Sequence, residues 1–209
     1  MYIQITDRCN MKCAHCCFDC TDKGNDMTEE IFNKALEIAN NFGDTIAIGG
    51  GEPTLHPLFL NFLGKVIMES DCDECVPFVA TNGSMEKESL IIARLARKGV
   101  ICGALSTDKY HDASMVSNAV KIAFESNHRS DNDLREKRNV EKSVKKIGRA
   151  KQIKDAKNGC ACPDLFVDPL GNIYACGCKT ILLGTVFNFT DIPDGFDLGE
   201  CGNNQNIAV

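Results

Sequence analysis

The chain contains no apolar run that approaches the roughly 18 residues of a membrane span, although 44% of its 209 residues are hydrophobic. Its first residues, 1–7, also lack the basic segment followed by an apolar stretch that marks an export signal. These absences argue against a membrane or secreted protein, and we predict a cytoplasmic location in which thiols stay reduced. The thirteen cysteines are then available to metals rather than to disulfides.

Aromatic residues are missing from the most basic part of the chain. Residues 129–157 carry eleven Lys or Arg against five Asp or Glu, a net charge of +6, so the rest of the chain carries −12 to give the total of −6. This basic insert, about residues 127–157, suits a solvated helix face, because Val140, Val144 and Ile147 recur at helical spacing. The other interpretation is contact with an anionic substrate or an acidic partner. The lack of interleaved aromatic rings and the acidic total charge disfavour nucleic acid as the substrate.

The most specific motif is a C-x3-C-x2-C run, formed by Cys9, Cys13 and Cys16 directly after a short apolar strand. Three thiolates on one tight loop can hold three irons of a four-iron cluster, which leaves the fourth iron open for chemistry. The same cysteines also suit zinc, with His15 or Cys20 as a fourth ligand, or a disulfide pair.

A glycine-rich turn, Gly49-Gly50-Gly51-Glu52-Pro53, follows a second predicted strand at residues 45–48. Three glycines at a strand end let a ligand approach the backbone closely. Glu52 offers an acceptor for a ligand amine, and Pro53 fixes the turn. An ordinary loop can have the same composition.

Together, the Cys loop after strand one and the Gly-Gly-Glu-Pro turn after strand two resemble the radical S-adenosylmethionine (SAM) superfamily. The resemblance implies that Cys9, Cys13 and Cys16 bind a 4Fe-4S cluster whose open iron is chelated by SAM. It also implies that Gly50, Gly51 and Glu52 hold the methionine amine and that His15 lies near the adenine. The full set of implied SAM contacts is His15, Gly50, Gly51, Glu52, Asn82, Ser106, Asp108 and Arg149.

Two further predicted strands, at residues 77–80 and 100–105, end in the polar turns Thr81-Asn82-Gly83 and Ser106-Thr107-Asp108. Amphipathic helices are predicted between the strands from the apolar period. The alternation predicts an α/β protein whose core, residues 1–150, is a partial, shortened parallel βα barrel of radical SAM type. No clear fifth strand is expected between residues 127 and 146.

Two Cys pairs mark the last quarter of the chain, Cys160-Ala-Cys162 and Cys176-Gly-Cys178. They flank two short predicted strands, residues 165–167 and 173–175, and a β-hairpin of these strands would bring four thiolates to one end. Four thiolates suit either a second iron-sulfur cluster or structural zinc. The spacing through Gly171 is similar to the start of the SPASM or twitch extensions of radical SAM enzymes. This resemblance implies an auxiliary iron-sulfur cluster held by Cys160, Cys162, Cys176 and Cys178.

The Cys-rich β-hairpin extension is expected to occupy residues 158–209. The resemblance implies an enzyme that reductively cleaves SAM to a 5′-deoxyadenosyl radical and abstracts hydrogen from a peptide, protein or small-molecule substrate. An electron donor such as flavodoxin or ferredoxin would be its partner. Two alternatives stay open: a glycyl-radical enzyme activating protein, which leaves the C-terminal cysteines unexplained, and a non-catalytic structural metal-binding module, which leaves the Gly-Gly-Glu-Pro turn without a role.

Overall fold

The computed structural model describes residues 1–42, 45–70, 76–125, 132–160 and 162–192. Within these ranges the strands are β1 Tyr2–Thr6, β2 Ala47–Gly50, β3 Phe78–Thr81, β4 Cys102–Ser106, β5 Arg135–Arg138, β6 Phe166–Val167, β7 Asn172–Tyr174 and β8 Leu182–Thr185. The α-helices are α1 Glu29–Phe42, α2 Phe59–Glu69, α3 Glu86–Arg97 and α4 Asn118–Ala123. Among the helices in these ranges, none combines the length and the hydropathy that a membrane span requires.

All of these strands form one sheet in the order β5-β4-β3-β2-β1-β6-β7-β8. Strands β1 to β5 are parallel, as the alternation of strands and helices predicts. Strand β6 pairs in parallel with the other edge of β1, and β6 and β7 form the predicted antiparallel hairpin. The predicted α/β fold with a parallel sheet is therefore confirmed, and the hairpin extends the same sheet. The domain boundary between residues 150 and 158 stays a prediction.

The helices cover the outer face of the sheet. Helix α1 begins after Thr28, whose hydroxyl accepts a hydrogen bond from the backbone N–H of Ile31 at 3.2 Å. Phe32 of α1 stacks on Phe62 of α2 with ring centroids 3.9 Å apart, and neither ring is exposed. Burial of one such side chain contributes about 1.5–3 kcal/mol, so this layer holds the helices on the sheet.

The two faces of the sheet differ because side chains alternate along each strand. Ile3 and Ile5 of β1 are fully buried in the core under the helices. The alternate residues of the parallel strands face inward, and they include Tyr2 on β1, Phe78 on β3 and Arg138 on β5. This inner face lines a cavity, and it carries the polar side chains of the site.

The basic insert differs from its prediction in two respects. A fifth strand is present, because Arg135–Arg138 pairs in parallel with β4. The prediction that Val140, Val144 and Ile147 lie on one face of a helix is wrong, because residues 132–160 contain no α-helix. Instead, the backbones of Lys145 and Lys157 form an isolated bridge, and Gly148–Gln152 forms a short 3-10 helix. Val144 is buried there in a small irregular cluster, so its helical spacing does not reflect a helix.

Candidate functional site

One cavity of about 880 Å³ extends along the inner face of the sheet and reaches the carboxyl ends of the parallel strands. Ligands of open parallel α/β sheets usually bind at these ends. The structure brings twelve of the sequence-predicted site residues to the wall of this one cavity: Cys9, Cys13, His15, Cys16, Gly50, Gly51, Glu52, Asn82, Ser106, Asp108, Arg149 and Cys162.

The three-cysteine loop is tied to the end of β2. The backbone N–H of Gly51 donates to the carbonyl of Thr6 at 2.8 Å, and the N–H of Glu52 donates to the carbonyl of Arg8 at 2.9 Å. Cys9 is held on the opposite side, where its N–H donates to the carbonyl of Thr21 at 2.7 Å. The loop therefore keeps its position through backbone contacts, and its thiols point toward the cavity.

Cys9, Cys13 and Cys16 are free thiols in this loop. Burial raises the pKa of Cys9 to about 11. The thiol of Cys16 is hydrogen-bonded to that of Cys20, which lowers the pKa of Cys16 to about 6 and raises that of Cys20. Iron binds thiolates, so loading this loop must release the proton held by Cys9. Three thiols on a short loop at a cavity wall fit three ligands of a 4Fe-4S cluster.

Glu52 is 1% exposed and ties the glycine-rich turn to the end of β3. Its carboxylate accepts hydrogen bonds from the hydroxyls of Thr54 at 2.5 Å and Thr81 at 2.8 Å. It also accepts one from the backbone N–H of Asn82 at 2.6 Å. Burial raises the pKa of Glu52, and the hydrogen bonds from Thr54, Asn82 and Thr81 oppose that rise. The contact of Glu52 with a ligand amine stays a prediction. In addition, the hydrogen bonds of this side chain hold the glycine-rich turn against the end of β3.

A second polar group joins His15, from the cysteine loop, to Asp108, after β4. Asp108 Oδ1 lies 2.9 Å from His111 Nδ1, and it accepts a hydrogen bond from the N–H of Tyr110 at 3.1 Å. Burial alone would raise the pKa of Asp108, but the hydrogen bond and charge of His111 lower it. Burial lowers the pKa of His15. The ring of His15 stacks on that of Tyr110, with centroids 4.7 Å apart.

This polar group has two buried atoms without a hydrogen-bond partner in the described part of the chain, Asp108 Oδ2 and His15 Nδ1. Buried polar atoms are nearly always hydrogen-bonded, so these two are suited to a ligand that brings its own donors. The hydroxyl and amino groups of a nucleoside are such donors. This arrangement fits the SAM contacts expected of His15 and Asp108.

Strand β5 adds a residue that the sequence did not indicate, Arg138. It lies opposite Ser106 in the register of β4 and β5, and it lines the same cavity. Its guanidinium carbon lies 5.9 Å from the centre of the Phe78 ring. A positive charge at this position suits an anionic group of a ligand, such as a carboxylate. A charged strand carries no apolar pattern, so no sequence signal could have placed Arg138 on the inner face.

The C-terminal cysteines separate into a group of three and a single residue. The sulfurs of Cys160, Cys176 and Cys178 lie within 4.8 Å of one another, and Cys160 and Cys178 are 3.3 Å apart. Cys162 lies outside this group and lines the large cavity, as does Cys17. Three of the four predicted auxiliary ligands are therefore together. Cys201 lies outside the described residues.

The two cysteine regions approach each other closely. A Cβ atom on Gly177 would lie 2.8 Å from Cys162 Cβ and 3.2 Å from the ring of Phe18. Phe18 follows the three-cysteine loop and packs against Phe166 of β6, with ring centroids 5.2 Å apart. The wall between the two regions is thus aromatic and tightly packed, with little room for water.

The family model of the radical SAM superfamily matches residues 3–154. The chain is 33% identical over 104 residues to the tungsten-containing aldehyde ferredoxin oxidoreductase cofactor-modifying protein of Pyrococcus furiosus, covering 48% of this chain and 28% of that protein. It is 44% identical over 87 residues to a putative glycyl-radical enzyme activating enzyme of Methanocaldococcus jannaschii, covering 41% of this chain and 32% of that protein. The chain thus spans about a third of the length of these curated relatives.

Two solved structures share the fold. The crystal structure of BtrN in complex with AdoMet and 2-DOIA superposes with a TM-score of 0.60 at 14% identity, covering 89% of this chain and 77% of BtrN. The structure of native anSMEcpe with bound AdoMet gives a TM-score of 0.54 at 15% identity, covering 97% of this chain and 81% of anSMEcpe. The family match spans more than half of the chain, and it contains both the cysteine loop and the glycine-rich turn. The chain therefore belongs to the radical SAM superfamily, a family of enzymes that use a 4Fe-4S cluster and SAM.

Proposed function

We propose that this enzyme uses SAM and a cluster on Cys9, Cys13 and Cys16 to abstract a hydrogen atom from a peptide, protein or small-molecule substrate. The observation that supports this proposal most strongly is that the three thiols share one cavity of about 880 Å³ with all eight residues expected to contact SAM. A cavity of this size holds a nucleoside-sized cofactor and leaves room beside it.

When bound and reduced, the cluster would supply one electron to SAM, whose cleavage would give methionine and a 5′-deoxyadenosyl radical. The residues of the chain bind, orient and shield these groups. Cys9, Cys13 and Cys16 hold iron, and Asp108 and His15 accept or share hydrogen bonds at the nucleoside. The inner-face side chains of Phe78 and Ala80, with the aromatic wall at Phe18, exclude water from the cavity.

The group of Cys160, Cys176 and Cys178 supports the proposal of an auxiliary iron-sulfur cluster. Cys162 is the proposed fourth ligand, and a turn of its side chain away from the cavity would be needed to complete the set. A substrate would then bind between the barrel and this extension. We further propose that a flavodoxin or ferredoxin supplies electrons and that the enzyme works in the cytoplasm.

A second candidate function is the activation of a glycyl-radical enzyme. Its support is the 44% identity over 87 residues to a protein named as a putative activating enzyme of that kind. In that case the substrate is the backbone of a large partner, and the C-terminal cysteines are dispensable. The two candidate functions differ in their requirement for Cys176: substrate modification needs Cys176 in the first and does not need it in the second.

The proposed cofactor set is tested by iron analysis and electron paramagnetic resonance (EPR) after anaerobic reconstitution. Two four-iron clusters predict about eight irons per chain. Replacement of Cys9, Cys13 and Cys16 by Ala should leave about four irons, and so should replacement of Cys160, Cys176 and Cys178. SAM should change the EPR spectrum of the reduced wild-type protein, because it binds the open iron. A spectrum that SAM leaves unchanged would contradict the proposal, and zinc at the C-terminal group would contradict the auxiliary cluster.

A further inference from the structure

Arg149 makes hydrogen bonds to three carbonyls of the cysteine loop. Its Nε donates to the carbonyl of Cys13 at 3.1 Å, and one terminal nitrogen donates to the carbonyl of Cys20 at 2.8 Å. Its backbone N–H donates to the carbonyl of Cys16 at 3.0 Å. These carbonyls span the loop from the second cysteine ligand to beyond the third, so a single residue fixes the ends and the middle of this segment.

Gly148 approaches the same loop from the preceding position. Its φ of +55° lies in the left-handed region that favours glycine. A Cβ atom here would lie 2.6 Å from the carbonyl oxygen of Cys17 and 2.7 Å from that of Cys16. The close approach of the two backbones therefore requires glycine. Gly148 and Arg149, which we call the clasp, contact the loop through independent atoms.

The charge of Arg149 has no acidic partner nearby. The guanidinium is half-buried at the cavity wall, and within the described ranges no carboxylate oxygen lies within 4.0 Å of it. A buried charge is normally paired, because its desolvation is costly. The group that it faces is the cysteine loop. A 4Fe-4S cluster together with three thiolate ligands carries a net negative charge, and reduction of the cluster makes that charge more negative.

We propose that the clasp is a positioning device that holds the cysteine loop in its cluster-binding conformation, with Arg149 supplying the counter-charge to the cluster. This inference rests on the proposed assignment of the cluster to Cys9, Cys13 and Cys16. Nearby positive charge favours the reduced state, so Arg149 raises the reduction potential of this cluster. Arg149 has further N–H groups beyond those bound to the loop, so a contact with SAM is compatible with the clasp.

The clasp also connects the two cysteine regions along the chain. It lies in the 3-10 helix Gly148–Gln152, eight residues before the bridged residue Lys157, and Cys160 follows Lys157 by three positions. Ala150, in the same short helix, is fully buried. The segment that leads to the C-terminal cysteine group is thereby anchored on the loop of the first cluster.

The test compares three variants of the full chain after anaerobic reconstitution. Arg149→Met removes the charge and the side-chain hydrogen bonds. Arg149→Lys keeps the charge but lacks the planar guanidinium that donates to two carbonyls at once. Lys151→Met, at an exposed position of the same short helix, is the matched control. Two quantities are measured: the rate at which iron is lost to a chelator, and the midpoint potential of the EPR signal that SAM perturbs.

Loss of two charge-assisted hydrogen bonds should accelerate iron loss by about tenfold or more in Arg149→Met, with a lower midpoint potential. Arg149→Lys should also lose iron faster, but its potential should stay close to that of the wild type. Lys151→Met should match the wild type in both. An unchanged rate and potential in Arg149→Met, or an equal effect in Lys151→Met, would overturn the proposal.

Folding of each variant is checked by circular dichroism. If Arg149→Met does not fold, Arg149→Lys decides, and iron loss at the wild-type rate in that variant overturns the clasp. If the wild-type protein itself shows no SAM-perturbed EPR signal, the proposed function fails. If the wild type shows this signal and both Arg149 variants match it in iron loss and midpoint potential, the clasp proposal fails while the proposed function stands.

Discussion

Replacement of Gly51 by Ala should destabilise the junction between the cysteine loop and β2. A Cβ atom at this position would lie 2.7 Å from the carbonyl carbon of Arg8 and 2.8 Å from Cys9 Cβ, closer than real Cβ contacts. One of these atoms belongs to the backbone, so rotation of a side chain cannot relieve the overlap. Overpacking of this kind costs about 1–3 kcal/mol of unfolding free energy. We expect a corresponding fall in the urea midpoint, and a loss of iron after reconstitution because the loop shifts.

Gly64→Ala is the matched control, because it makes the same chemical change where the structure has space. Gly64 lies inside α2, and no heavy atom outside its own helix backbone lies within 4 Å of its added Cβ. Alanine should stabilise the helix by about 0.5–1 kcal/mol. The two variants should therefore move the urea midpoint in opposite directions. A stability of Gly51→Ala equal to or above that of the wild type would show that the junction accommodates the added Cβ atom.

Two further perturbations test other parts of the structure. Arg135→Met removes a bidentate pair with the buried carboxylate of Asp133, at 2.8 and 2.6 Å, and should lower the free energy of unfolding in urea by about 3–5 kcal/mol. Lys137→Met, at an exposed ion pair on the same strand, should lower it by less than about 1 kcal/mol. Equal losses in the two variants would contradict the role of the Arg135–Asp133 pair in holding β5. Burial lowers the pKa of His56 below its ordinary 6.5, so the unfolded chain takes up a proton at a higher pH than the folded chain and stability falls as the pH drops below 6.5. His56→Gln should reduce the difference between urea midpoints at pH 7 and pH 5, and an undiminished difference would exclude His56 as its source.

The first four strands could be predicted because their apolar residues carry the information locally. Ile3 and Ile5 alternate on β1, and the helices show apolar stripes such as Phe59, Phe62 and Leu63 on α2. The residues expected to contact SAM could be predicted to lie together for a related reason. Parallel strands end at one edge, so motifs that follow successive strands meet there.

The fifth strand could not be predicted, because Arg135 to Arg138 contains only charged residues. It is held by backbone pairing with β4 and by the pair of Arg135 with Asp133, and these contacts appear only after folding. The separation of Cys162 from the other C-terminal cysteines also depends on side-chain directions, which spacing does not encode. The clasp is a similar case, since Arg149 and Cys13 are 136 positions apart.

Cleavage of SAM is measured as 5′-deoxyadenosine formation by the reconstituted protein with SAM and a strong reductant under anaerobic conditions. We expect formation by the wild-type protein, none by Cys13→Ala, and residual formation by Cys176→Ala, because Cys13 and not Cys176 belongs to the cluster proposed to bind SAM. No 5′-deoxyadenosine from a fully iron-loaded wild-type protein, or equal amounts from the wild type and Cys13→Ala, would contradict the proposed function.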